Sequence, residues 1–512
     1  MRTKYSFLNI LTAVGFSIIV GILSMFRLKY FIGYFGDEVN GFFSLSNSVS
    51  LAMTFVEAGM GGIFIQKLYG LLANDNKQGV IDLYFTVKRI ALFVTLFIFT
   101  LAFVYSFIHI KQYEYLFGIP LVVIIYWLYM TPTIFSYYLR VPAYILMADQ
   151  REYIVSFVGQ MGNVISYLLQ IIILMVFKDL HIIVISIIMF IFTLVPLLIN
   201  YVIALKRYPY LRKTNVSKKY FDKDVLVKMK DCLMASISNA LMQSVDSLML
   251  AYVAVTNVSY RLSLISVISI YNGVILLVKN IVQGMVAQVI ASFGNLAQSE
   301  QENFKFMYKV YIQISFAVCT AVFAAVFAVI NKFNLIFYNM GSKVLPAIFV
   351  FVIIFNAFMD IIKIPLLMEP VNIRGNYKFQ RNVMAIEVIS NLVLSYILLQ
   401  VMGEIGLFVA TAIVQIVSVV FLIPRKSYAD INEKYSTYLK TFAIYLSLFI
   451  LISWVNLSMV NAISILNIID FFIAAILIFL IDLSLVFFIS FSLSDDFYVV
   501  VDSLVTRVYR NG

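Results

Sequence analysis

Charge is scarce in this sequence. Asp, Glu, Lys and Arg make up 12% of its 512 residues, about half of the roughly 25% found in soluble domains, which excludes a soluble enzyme. The two cysteines, Cys232 and Cys319, lie in separate apolar stretches. They are too few for a disulfide scaffold and have no thiolate metal-site spacing. His109 and His181 are far apart, without zinc-type spacing, and read as interfacial residues at helix ends. No Walker loop, H-E-x-x-H or G-x-S-x-G occurs, so nucleotide-driven transport on this chain is excluded. No catalytic residue, metal site or cofactor is expected, and the chain reads as a non-enzyme. An aromatic content of 16% excludes intrinsic disorder.

What the chain has is hydrocarbon-compatible sequence, 62% hydrophobic with a mean hydropathy of +0.97. Runs free of charged residues span 5–26, 90–110, 115–139, 153–177, 180–205, 310–331, 405–424 and 441–469. Further apolar segments with one or two charges cover 42–64, 231–252, 261–286, 345–366, 383–402 and 469–492. Each is long enough to cross a bilayer as a helix, which takes about 18 residues or more. No period-two alternation of barrel type accompanies them. The reading is an all-α polytopic membrane protein with about 14 transmembrane helices. Arg2 and Lys4 precede the first run like a signal peptide's opening. That run is too long for a signal's apolar core, so it is expected to stay as the first helix.

Placing the N-terminus inside puts 29 of the 37 Lys and Arg in inner segments and 7 in outer loops, with Lys279 within a span. This bias predicts both termini in the cytoplasm, and it assigns the net charge of +11 to the inner face and anionic lipid rather than to nucleic acid.

The basic loop near 206–230 separates two halves with matching patterns. Glu57-Ala-Gly-Met corresponds to Val282-Gln-Gly-Met, and Gly70-Leu-Leu-Ala to Gly294-Asn-Leu-Ala. Arg140-Val-Pro142 corresponds to Lys363-Ile-Pro365, and Ser166-Tyr-Leu-Leu-Gln170 to Ser395-Tyr-Ile-Leu-Leu-Gln400. Four matches in order, all offset by nearly the same amount, predict two parallel six-helix repeats around a central cavity. The expected organisation is an N-terminal lobe over 1–224, a C-terminal lobe over 225–424, and two additional helices with a cytoplasmic tail over 425–512. This is transporter architecture, suited to alternating access.

Charges inside spans are costly, about 2.5–3.5 kcal/mol each on insertion scales, and commonly face a cavity. Arg27 and Arg261 stand at outer span ends, where each is either an interfacial anchor or a cavity cation. Asp246, in the outer half of its span, is a candidate cavity residue. Asp482, near the centre of the last span, is either a packing contact or a coupling group. Asp360 and Lys363 are spaced to pair locally. Glu57 and Lys279 fall about one turn apart in repeat-equivalent positions. They either pair within their own halves or meet across the cleft to close the cytoplasmic mouth.

Several segments resemble the Wzx-type polysaccharide repeat-unit flippases of the multidrug, oligosaccharidyl-lipid and polysaccharide exporter superfamily. They are R-T-K-Y-S-F-L-N-I at 2–10, F-I-G-Y-F-G-D-E-V-N-G-F-F-S-L at 31–45, E-A-G-M-G at 57–61 and L-Y-G-L-L-A-N-D at 68–75. V-D-S-L-M-L at 245–250 and A-S-F-G-N-L-A-Q-S-E at 291–300 belong to the same set. The resemblance covers about residues 2–425. It implies a bacterial cytoplasmic-membrane protein that turns undecaprenyl-pyrophosphate-linked oligosaccharides from the inner to the outer leaflet for capsule, O-antigen or related polymer assembly. It also implies that Arg27 and Arg261 hold the pyrophosphate, with Lys279 a further candidate, and that the last two helices form a groove for the polyprenyl tail. A polysaccharide polymerase is a candidate partner besides membrane lipids. H⁺ or Na⁺ is a candidate coupling ion.

Three rival readings fit parts of the sequence. A drug or cation antiporter of the same superfamily, or a lipid-linked peptidoglycan precursor flippase, would share the fold. A membrane glycosyltransferase or polymerase would act on the same carrier, but it needs a large outer loop or acidic motif and leaves the repeat unexplained. The topology is directly testable. Cysteine labelling from outside is expected to fail at Ser217 and succeed at Asn339, and labelling at Ser217 contradicts the orientation.

Overall fold

A bilayer interior offers no water to backbone N–H and C=O groups, so the apolar runs must satisfy them within helices. In the computed structural model, residues 15–212, 223–254, 256–287, 301–463, 465 and 467–493 are described, and no strand occurs among them. The helices are α1 (Phe16–Phe35), α2 (Asp37–Met53), α3 (Phe55–Ala73), α4 (Lys77–Phe117), α5 (Ile119–Leu139), α6 (Ala143–Ala148), α7 (Glu152–Val176) and α8 (Ile182–Arg207). They continue as α9 (Lys223–Tyr252), α10 (Val258–Ala287), α11 (Gln301–Phe337), α12 (Ala347–Leu367), α13 (Tyr377–Met402) and α14 (Ile405–Ile416). The last three are α15 (Ile423–Asp430), α16 (Tyr435–Ala462) and α17 (Ile468–Leu493). Among the described residues, 12 helical stretches are long and apolar enough to cross a membrane. The two other expected spans are helical too. Segment 231–252 lies in α9, and 42–64 runs through α2 and α3.

The break between α2 and α3 is local chemistry. The Thr54 hydroxyl donates to the Leu51 carbonyl at 2.8 Å, and the Thr54 N–H bonds the same oxygen, which ends α2. α4 and α5 are joined by Gly118 alone, whose φ of +77° turns the chain in a conformation that side chains resist. Below, the membrane side on which α1 begins is called the near side, and the opposite one the far side.

The chain divides into two compact units, Met1–Ser269 and Ile270–Gly512, parted within α10. In the first, α1 packs on α7, α4 on α5, α5 on α8, α7 on α8, and α9 on α2 and α3. In the second, α11 packs on α12, α16 and α17, α12 on α14, and α13 on α14. Helix order carries the internal repeat. Lys77 and Gln301, Ile119 and Ala347, Glu152 and Tyr377, and Ile182 and Ile405 open successive helices at offsets of 224, 228, 225 and 223. The packings α4–α5, α5–α8 and α7–α8 recur as α11–α12, α12–α14 and α13–α14.

Two π-helical segments, Met368–Ile373 and Val417–Leu422, widen the second unit's helices and loosen the carbonyls around them. Hydroxyls meet these carbonyls. Tyr308 donates to the Pro365 carbonyl at 3.1 Å and Ser427 to that of Leu366 at 2.7 Å. Tyr435 and Tyr438 donate to the carbonyls of Val420 and Val419 at 2.6 and 2.7 Å. The same device acts in the first unit, where Tyr126 donates to the Ala102 carbonyl at 2.7 Å. Such bonds substitute for water and fix helix register.

Glu433, in the turn before α16, takes Lys309 at 3.3 Å and Lys305 at 3.4 Å from the start of α11. Burial alone would raise its pKa, but the two ammonium groups outweigh that and hold it below its usual value. A carboxyl whose folded pKa is depressed stabilises the fold above its unfolded pKa, near 4.3 for Glu, and loses that contribution as pH falls. Glu433→Gln is expected to lower stability by about 1 kcal/mol at pH 7, with the difference from wild type shrinking towards pH 4. Thermal unfolding of the purified protein across that range measures it.

Candidate functional site

A guanidinium within a membrane helix needs either a counter-charge or a set of acceptors, and Arg27 has few of either. α1 holds it eight residues before its end at Phe35. Nε donates to Gln170 Oε1 at 2.8 Å, and Nη2 lies 3.5 Å from Met189 Sδ. The guanidinium carbon sits 4.5 Å from the ring centre of Phe31. Gln170 is fully buried on α7 and is itself oriented by donating Nε2 to Ser166 Oγ at 2.9 Å. No carboxylate pairs with Arg27 among the described residues. Its charge thus faces an amide, a thioether and a ring, none of which neutralises it. Nη1 and part of Nη2 remain for the oxygens of an anion, in the forked geometry that phosphate matches.

Arg261, on the first turn of α10, is engaged differently. Nη1 donates to the carbonyls of Ala251 at 2.8 Å and Ala254 at 3.0 Å, closing the end of α9, while its buried Nε has no partner. Sequence reasoning left it open between anchor and cavity cation. The structure shows a helix-end clamp whose buried Nε is left without a partner.

Around this clamp, α2 and α4 hold the α9–α10 connection on the far side. Ser259 donates to Glu38 Oε1 at 2.5 Å, and Asn40 Nδ2 donates to Ser266 Oγ at 2.9 Å and Ser269 Oγ at 3.2 Å. Gly41 lies so close to α10 that an added Cβ would stand 2.0 Å from the Leu262 carbonyl oxygen. Gln112 Nε2 donates to the Ala251 carbonyl at 3.0 Å. The Tyr252 hydroxyl meets that of Tyr105 and lies 3.2 Å from His109 Nδ1. His109 differs from its expected interfacial place. It is fully buried, with ring centres of Phe42, Tyr113 and Tyr126 at 5.0, 4.9 and 5.2 Å. The physical reason is helix length. α4 continues past Lys111 to Phe117, so His109 is eight residues inside the helix rather than at its tip. His181 does cap a helix end, with Nδ1 3.4 Å from the Ile183 N–H of α8.

In the second unit Lys279 pairs with Asp360, whose other oxygen accepts from Gln415 Nε2 at 2.7 Å. Lys363 contacts both oxygens of buried Glu387 at 2.5 Å. The expected local pair of Asp360 and Lys363 is therefore replaced by partners on other helices, a tertiary choice that i, i+3 spacing does not reveal. The Glu57 side chain lies outside the described residues. Asp246 is half-buried on α9 and engaged with a neighbour. Asp482, buried on α17, accepts from Asn456 Nδ2 of α16 at 2.7 Å. Beside this pair of helices runs a groove of about 430 Å³ lined by Ala443, Ile444, Ser447, Leu448, Leu451 and Ile489. Among the described residues no cluster of His, Cys, Asp or Glu could hold a metal.

Sequence reasoning missed Gln170, Glu38 and Asn40. Gln170 had a usable signal, since Ser166 and Gln170 form a polar pair at i, i+4 in a span free of charged residues. Its repeat counterpart Gln400 is exposed, so the second half does not reuse the device.

No family model matches the chain, and no curated protein matches it. Solved structures do. The lipid II flippase MurJ, in an inward closed conformation, aligns with a TM-score of 0.64 at 16% identity, over 93% of this chain and 98% of that one. An inward-facing multidrug resistance MATE family transporter of the MOP superfamily aligns with a TM-score of 0.59 at 11% identity, over 83% of this chain and 98% of that one. A MOP superfamily transporter from Pyrococcus furiosus, described with a reversed polarity of its binding pocket, aligns with a TM-score of 0.53 at 13% identity, over 83% and 95%. At such identities the likeness establishes the fold, a multi-pass membrane fold common to these transporters.

Proposed function

We propose that this chain is a flippase that moves undecaprenyl-pyrophosphate-linked oligosaccharide repeat units from the inner to the outer leaflet of a bacterial cytoplasmic membrane, by alternating access and without catalysing a covalent reaction. The observation that carries the reading is Arg27, an intramembrane guanidinium that no carboxylate neutralises among the described residues. A permanently charged fork in that setting favours an anionic, phosphate-bearing substrate. It disfavours a cationic drug, which would meet repulsion there.

The remaining features fit around that core. Arg261 contributes its unused Nε, and Lys279 contributes when its bond to Asp360 opens. The groove beside α16 and α17 suits a polyprenyl tail by its apolar lining. The lobes 1–224 and 225–424 rock about the substrate, with 425–512 carrying the tail groove. Glu57, Asp246 and Asp482 serve coupling or gating, with H⁺ or Na⁺ as the driving ion. The product is handed to a polysaccharide polymerase.

The closure of the cytoplasmic mouth by Glu57 and Lys279 now has a named competitor in Asp360. The second reading, a drug or cation antiporter, draws on the MATE neighbours and is disfavoured by Arg27.

Arg27→Ala, at unchanged protein level, is expected to remove export of the surface polysaccharide, with Arg27→Lys restoring part of it. Loss of a charged bidentate contact costs about 2 kcal/mol, or near thirtyfold in affinity. Surface polymer is the readout. Full export by Arg27→Ala leaves the residue a membrane anchor.

A further inference from the structure

Lys88 is a cation apart from Arg27, Arg261 and Lys279. It stands on the near-side portion of α4, where α4, α5 and α8 come together. Its Nζ donates to the Tyr201 hydroxyl at 3.3 Å. It also lies 4.9, 5.5 and 5.7 Å from the ring centres of Tyr138, Tyr84 and Tyr201. No carboxylate pairs with it among the described residues. Aromatic faces position an ammonium without cancelling its charge. Tyr138 is one residue from the end of α5 and Tyr201 six from the end of α8, so the ammonium sits at the membrane boundary. Arg89, Arg140, Lys206 and Arg207, on the near-side parts of the same three helices or just past their ends, are exposed.

The sequence one turn deeper changes character on all three helices together. Four residues beyond Lys88 is Leu92, 47% exposed. Three residues before Tyr138 is Phe135, 49% exposed, and three before Tyr201 is Leu198, 42% exposed. Helix direction places each of these towards the membrane centre from its polar neighbour. A cation with hydroxyl donors at the boundary therefore opens onto an outward apolar strip inside it. That is the profile of one molecule with a phosphate head and hydrocarbon chains.

We propose that Lys88, with Tyr84, Tyr138 and Tyr201, seats the phosphate of a membrane lipid on the near side of the first unit, its chains lying along Leu92, Phe135 and Leu198. The ammonium and the Tyr201 hydroxyl face the phosphate oxygens, and the apolar strip excludes water from one side of the contact. Two sources share this chemistry, a bulk anionic phospholipid and a polyprenyl phosphate.

Native mass spectrometry of the full chain, titrated separately with phosphatidylglycerol, undecaprenyl phosphate and phosphatidylcholine, tests the seat. Lys88→Ala is expected to weaken the tightest anionic lipid about fivefold, while Lys88→Arg and the exposed neighbour Arg89→Ala stay within about twofold of wild type. Phosphatidylcholine binding is expected to be unchanged. Weakening of phosphatidylglycerol identifies a bulk-lipid seat, and weakening of undecaprenyl phosphate alone identifies a seat for the carrier. If Lys88→Ala does not fold, Tyr201→Phe removes one hydroxyl and is expected to weaken the same lipid about twofold. Unchanged binding of both anionic lipids by the variant that folds overturns the proposal.

Discussion

In hydrocarbon a polar group has no solvent to fall back on, and most of this structure follows from that. Backbone groups disappear into helices, and where a helix widens or meets proline a hydroxyl takes over. Tyr308 and Ser427 do so beside Pro365, as do Tyr435 and Tyr438 at the segment Val417–Leu422. Buried carboxylates find cations or amides, as Glu387 finds Lys363 and Asp482 finds Asn456. A charge that departs from this pattern is informative, because an unneutralised ion in low dielectric is expensive to keep.

Arg27 and Lys88 are the two departures on which function is argued, and they differ in kind. Lys88 stands among the rings of Tyr84, Tyr138 and Tyr201 near the near-side ends of α5 and α8. Arg27 is steered by a buried glutamine that is itself steered by Ser166. A guanidinium held so that its outer fork stays free is organised before any ligand arrives, which reduces the ordering cost of binding. Arg261 shows the contrast. Its Nη1 is spent on two carbonyls, so its first task is to hold the α9–α10 connection.

The helical membrane class and the repeat were legible because hydropathy and residue type act locally. Every expected span contains helix, and the offsets near 225 reappear in helix starts from Lys77 to Ile405. What was not legible depends on neighbours distant in sequence. The charge-free run ends at residue 110, yet α4 runs on to Phe117, so His109 lies eight residues inside the helix and is buried against Phe42, Tyr113 and Tyr126. Asp360 and Lys363 were spaced to pair, but Gln415, Lys279 and Glu387 claim them instead. Of the candidate site, Arg27 could be selected from sequence as a charge in a span. The amide that orients it, 143 residues away, could not.

The proposed function requires that an anionic, lipid-linked substrate cross the membrane on this chain. Proteoliposomes loaded with a fluorescent undecaprenyl-pyrophosphate oligosaccharide, with a membrane-impermeant quencher added outside, measure it directly. The expected result is protein-dependent, time-dependent loss of the protected inner-leaflet fluorescence, unaffected by an excess of a cationic dye. Protected fluorescence equal to that of protein-free vesicles, together with protein-dependent uptake of the dye, would contradict it.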